Sequence, residues 1–135
     1  MDILKRFEVS YYPSGREVVE LVFCFDSGSP YTFIKQTSAL RVGKLFELAE
    51  PAPFGGLGGG NFGSKKIIHL YVKLLEFWCS QVAYVVEDNI LEKDYDVLAG
   101  HNFMQIYGIK LLPHEGDIEI DEVRLRLAQR IRYEV

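Results

Sequence analysis

The chain has 135 residues, 48% apolar and 25% charged, which suits one folded domain with a real core and is short for a two-lobed enzyme. Its net charge of −4 argues against a nucleic-acid partner. No stretch reaches the ~18 apolar residues of a membrane-spanning helix, and Met1-Asp2-Ile3-Leu4-Lys5-Arg6 holds no apolar run of signal-peptide length, so a cytoplasmic protein is expected.

Alternation with a period of two dominates the chain. Phe7, Val9 and Tyr11 alternate with polar residues up to a turn at Pro13-Ser14-Gly15. Val18 to Phe25 then forms a second strand of the same hairpin, and Tyr31 to Ile34 a third strand. Ser38 to Leu48 fits a short helical turn or an irregular strand equally well. Six glycines follow between Gly55 and Gly63, and strand-like sequence resumes as Lys66 to Leu75 and Phe77 to Val86. An acidic connector leads to Tyr95-Asp96-Val97-Leu98-Ala99-Gly100, and His101 to Tyr107 reads as a short helix ended by Gly108. Val123, Leu125, Leu127, Ile131, Tyr133 and Val135 restore the period of two. On such a strand Arg124, Arg126, Arg130 and Arg132 would share one solvated face. The expected architecture is all-β, with one short helix and one domain over residues 1–135.

The chemistry-bearing residues exclude several classes. Cys24, His69, Cys79, His101 and His114 have no zinc-site spacing, so no metal is expected. The two cysteines lie in apolar runs and read as small buried hydrophobes, although a bridge between them stays open. No G-x-S-x-G is present. Gly58-Gly59-Gly60-Asn61-Phe62-Gly63 has the letters of a dinucleotide fingerprint, but Pro51-Ala52-Pro53-Phe54 precedes it and β-like sequence follows where that fingerprint opens a helix. Flanked by strands, those glycines fit a hairpin tip that tolerates positive φ.

Asp26 is the acid that calls for explanation. It ends the apolar run Leu21-Val22-Phe23-Cys24-Phe25 and begins Asp26-Ser27-Gly28-Ser29. An ionised carboxylate leaving water needs partners, and a turn Asp capping its own Ser-Gly backbone is the plain structural alternative. Phe25-Asp26-Ser27-Gly28-Ser29, the glycine hairpin around Phe54-Gly55-Gly56-Leu57-Gly58-Gly59, and Val97-Leu98-Ala99-Gly100-His101-Asn102-Phe103-Met104 occur in that order. Asp26 lies 30 residues before Gly56 and 74 before Gly100. Together these motifs resemble the retropepsin-like aspartic proteases, the single-domain retroviral type, over roughly Phe7 to Leu112.

That resemblance implies a closed, mostly antiparallel acid-protease barrel that hydrolyses peptide bonds. Two carboxylates must share one proton across a water, because like charges ~3 Å apart cannot both ionise easily. The chain offers one Asp-Ser-Gly, so a homodimer would bring Asp26 from each subunit to the two-fold axis. Ser27 would support the loop with its hydroxyl, Gly28 would let main-chain N–H groups approach the carboxylates, and Ser29 would bind substrate. Gly56, Leu57, Gly58 and Gly59 would form a flap over an extended polypeptide substrate, with Leu98 and Gly100 supporting the loop. No cofactor is implied. The family often places an ion pair where this chain carries Pro30 and His101, so that dimer-linked pair is missing. Two other readings differ in class: an inactive protease-like peptide-binding or dimerisation module, and a nucleotide binder using Gly58 to Gly63.

Overall fold

A computed structural model describes residues 2–56 and 60–133, with side chains described as far as Arg130. The strands are β1 (Ile3–Ser10), β2 (Val19–Phe25), β3 (Phe33–Lys35), β4 (Phe46–Gly55), β5 (Asn61–Leu74), β6 (Phe77–Val86), β7 (Val97–Ala99), β8 (Ile109–Leu112) and β9 (Asp117–Ile120). Three helices accompany them: α1 (Gln36–Val42), α2 (His101–Tyr107) and α3 (Glu122–Tyr133).

Six strands close a barrel in the order β1-β2-β7-β3-β6-β5, and β5 returns to β1 through Val9↔Val72 and Ser10↔Tyr71. Closure removes the free edges that an open sheet would expose. The β2–β7 and β3–β6 pairs are parallel and the other pairs antiparallel. β4 is hydrogen-bonded to β5 outside the ring, forming a long hairpin with Gly56 and Gly60 at its end. β8 and β9 make a separate two-stranded ribbon.

The pleat sorts the apolar side chains into two clusters. Phe23, Phe25, Val97 and Ala99 face the barrel interior with Leu21, Ile34, Ile68, Val72 and Phe103. Their neighbours Cys24 and Leu98 point the other way and join Phe33, Val86, Leu91 and Tyr95 in a second cluster, against which Phe54, Phe62 and Tyr84 pack. That second cluster lies beneath the β4–β5 hairpin.

Phe77 to Val86 and His101 to Tyr107 form the expected elements, and Gly108 takes the left-handed conformation at φ 67° that ends α2. Ser38 to Leu48 contains both alternatives in turn, the end of α1 and the start of β4. The third strand is Phe33–Lys35 rather than Tyr31 to Ile34, because Tyr31 and Thr32 belong to the loop after Asp26.

The C-terminal expectation is corrected: Glu122–Tyr133 is a helix, so there are three helices rather than one. Asp121 caps its first turn, with Oδ1 accepting the Arg124 N–H at 3.1 Å. Glu122 pairs with Arg126 one turn on, at 2.8 Å. Of the alternating apolar residues, Leu125 is fully buried whereas Val123 and Leu127 are exposed. Arg124, Arg126 and Arg130 are exposed on the helix surface instead of along one strand face. Val135 lies outside the described residues. Cys24 and Cys79 are buried thiols on β2 and β6, which excludes the bridge left open by the sequence. Among the described residues no helix is long and apolar enough to cross a membrane.

Candidate active site

β2 is held by β1 on one side and by β7 on the other, with Phe25 opposite Ala99. The next residue continues that ladder, since the Asp26 N–H donates to the Ala99 carbonyl at 3.0 Å. The chain then turns sharply. The Ser29 N–H donates to the Asp26 carbonyl at 3.1 Å, and the Gly28 N–H to Asp26 Oδ1 at 2.9 Å. Asp26 is half-buried, its main chain fixed at both ends and one carboxylate oxygen held by its own turn.

The loop from Ser27 to Thr32 lies against the start of α2. The Ser29 carbonyl accepts the His101 N–H at 2.6 Å, and the Ser29 hydroxyl donates to the Tyr31 carbonyl at 2.7 Å. Pro30 and His101 belong to segments joined here through the main chain. Gly100 is required by this approach: a Cβ there would lie 2.1 Å from the Tyr31 carbonyl oxygen and 2.6 Å from that of Ser29. Thr32, 2% exposed, ties the arrangement together. Its hydroxyl accepts the Gly100 N–H at 3.2 Å and donates to Asn102 Oδ1 at 2.9 Å, which also accepts the Phe103 N–H.

Asp26 borders two cavities, and Gly56 of the hairpin borders both. The larger, about 650 Å³, has Ser27, Leu98, Cys24, Leu91 and Tyr95 in its wall. The smaller, about 520 Å³, has Gly28, Ser29, Tyr31, Phe33 and Phe54. Burial pushes the Cys24 thiol up to about 12, and the carboxylates of Asp2, Asp26 and Glu92 act in the same direction. Burial, with Cys24 beside it, also pushes the Tyr95 phenol up to about 12. Both are therefore neutral near pH 7, and among the described residues Asp26 is the carboxylate that borders both cavities.

The fold thus gathers Asp26, Ser27, Gly28, Ser29, Gly56 and Leu98 around the two cavities, while Gly100 packs beneath the loop. Leu57, Gly58 and Gly59 lie outside the described residues. Sequence reasoning missed Thr32 and Asn102 as loop supports and the aromatic wall of the smaller cavity. Asn102, within the motif after Gly100, was the one available signal. Among the described residues no group of three His, Cys, Asp or Glu side chains could hold a metal ion.

Compared with known proteins, the sequence matches no family model and no curated protein. The fold does have counterparts among solved structures. The EIAV protease complexed with the inhibitor HBY-793 superposes with a TM-score of 0.61 at 16% identity, covering 83% of this chain and 93% of that one. The chain has a retropepsin-like fold. A second retropepsin-like neighbour, the retroviral protease-like domain of Ddi1 from Leishmania major, has a TM-score of 0.56 at 16% identity and covers 87% of each chain. The retropepsin-like barrel accounts for the insertion of β7 between β2 and β3, which brings the start of α2 beneath the Asp26 loop.

Proposed function

We propose that residues 1–135 form one aspartic endopeptidase domain that acts as a homodimer on extended polypeptides. The carrying observation is the setting of Asp26: a half-buried carboxylate at the end of a core strand, at the junction of two cavities and beside the hairpin end at Gly56. Two retropepsin-like neighbours, one a protease bound to an inhibitor, support the reading.

In the dimer the two Asp26 carboxylates share one proton. The ionised carboxylate takes a proton from water as its oxygen attacks the scissile carbonyl, and the protonated one donates to that carbonyl oxygen. Collapse of the tetrahedral intermediate breaks the C–N bond, and a proton passes to the departing amine. Ser27 and Gly28 maintain the loop, Leu98 and Gly100 support it, and Ser29 and Gly56 contact the substrate. Main-chain pairing holds the substrate as an added strand.

A second reading is favoured by the bond from Gly28 N–H to Asp26 Oδ1. In it Asp26 is only a turn cap within a peptide-binding or dimerisation module. Asp26→Asn separates the two, because an Asn side-chain oxygen still accepts that bond but cannot ionise. Wild type and Asp26→Asn are incubated with a mixed peptide library from acidic to neutral pH. Cleavage by the wild type, reduced at least about 100-fold in the variant, is the expected result. A stable dimer that cleaves nothing would establish the module instead, and equal cleavage by both proteins would remove Asp26 from the chemistry.

A further inference from the structure

We infer that the cavity walled by Tyr31, Phe33 and Phe54 selects one aromatic side chain of the substrate, and that Tyr31 and Phe54 set this selectivity. The inference rests on the endopeptidase reading and names the substrate feature that the same site takes. The two cavities beside Asp26 differ in chemistry. Asp2, Asn89 and Glu92 stand in the wall of the larger one. In the smaller one Asp26 is the single carboxylate, and no Lys, Arg or His borders it among the described residues.

Apart from Asp26, the polar side-chain groups in its wall are the hydroxyls of Ser29 and Tyr31. The Ser29 hydroxyl donates to the Tyr31 carbonyl, and Pro30 and Pro53 in the wall carry no N–H. An anionic side chain would lose its hydration here beside the Asp26 carboxylate, and a cationic one would find only that carboxylate, which the proposed mechanism engages, whereas a ring meets other rings. Tyr31 and Phe54 pack against each other in the wall, with centroids 5.5 Å apart at 65°. Phe33 meets Phe54 edge-to-face at 4.9 Å and 89°. Offset and edge-to-face contacts are the arrangements aromatic rings favour. At about 520 Å³ the cavity is within the usual size of a ligand site, with ample room for one side chain. Successive side chains of an extended peptide point to opposite faces, so one residue of the substrate enters this pocket while its neighbours turn away.

Tyr31 is 44% exposed, so truncating it leaves the core intact. Acetylated, amidated hexapeptides that differ at one central position (Phe, Leu, Ala or Lys) are titrated into the Asp26→Asn protein and followed by amide NMR. The Phe peptide is expected to bind at least about tenfold more tightly than the Ala and Lys peptides, about 1.4 kcal/mol, and to shift the Gly55 and Gly56 amides. Introducing Tyr31→Ala or Phe54→Ala into that protein should reduce the preference to less than about threefold, and Tyr31→Phe should keep it. Equal binding of all four peptides, no binding of any, or an undiminished preference in Tyr31→Ala would overturn the inference. Because this titration needs no turnover, a wild type that cleaves nothing refutes the endopeptidase reading separately.

Discussion

The N–H of Asp26 donates to the carbonyl of Ala99 at 3.0 Å, joining the residue after β2 to the last residue of β7. This bond exists because β7 is inserted between β2 and β3, parallel to the first and antiparallel to the second. The chain leaving β2 must then cross the end of β7 to reach β3. Gly100, directly after β7, is where that crossing is tightest, and stability and site geometry depend on the same few atoms.

Gly100→Ala should therefore do more than a typical glycine substitution. Its Cβ would meet two main-chain oxygens, at 2.1 and 2.6 Å, which cannot rotate away. A loss of about 3 kcal/mol is expected in urea unfolding, with any remaining activity impaired. Gly60→Ala is the control, since its Cβ would meet nothing within 4 Å. Equal stability of the two variants would show that the loop after Asp26 yields to an added methyl.

Thr32→Val keeps shape and removes one hydroxyl. The Gly100 N–H and the Asn102 side chain both lose a partner in a buried place. Such a loss costs about 1–3 kcal/mol. If the hydroxyl also positions the Asp26 loop, kcat should fall while KM stays within about twofold. A variant as stable as the wild type would remove Thr32 from the account.

Stability should decline on the alkaline side. The thiol of Cys24 and the phenol of Tyr95 ionise in the unfolded chain near 9.0 and 10.0, but in the folded protein both are pushed up to about 12. Between those values the folded state binds more protons than the unfolded one, so stability falls as pH rises. Well below pH 9.0, where both groups are protonated in both states, neither contributes a slope. Urea midpoints measured from about pH 8 to about pH 11 should fall less steeply in Tyr95→Phe and Cys24→Ala. Slopes identical to the wild type would mean that neither group is desolvated on folding.

Leu125→Ala tests whether α3 belongs to the core. Leu125 is fully buried, and beside it Gln129 donates to the Cys79 sulfur at 3.3 Å. The substitution should cost about 2–5 kcal/mol, against little for Val123→Ala, whose side chain is 79% exposed. Similar effects at the two positions would contradict the packing of this helix.

The hairpin of the first two strands, the extent of β6, the span of α2 with its Gly108 cap and the turn at Asp26 were legible in the sequence. The order of the strands around the barrel and the β8–β9 ribbon were not. Each legible feature depends on local chemistry: alternation with a period of two, a left-handed glycine, and an acid followed by Ser-Gly. The C-terminal helix was misread because Val123, Leu125 and Leu127 alternate as a strand would. Only packing reveals that of Val123, Leu125 and Leu127 it is Leu125 that is buried, while the Asp121 cap and the Glu122–Arg126 pair favour the helix. The support of Thr32 by Gly100 and Asn102, and the aromatic wall shared by Tyr31 and Phe54, were not legible at all. Those contacts join segments that meet only when the barrel closes, and no local pattern records which distant residue will stand opposite. The sequence by itself placed Asp26 in a turn at the end of an apolar strand, because that depends on neighbours in the chain; closure of the barrel decided what surrounds it.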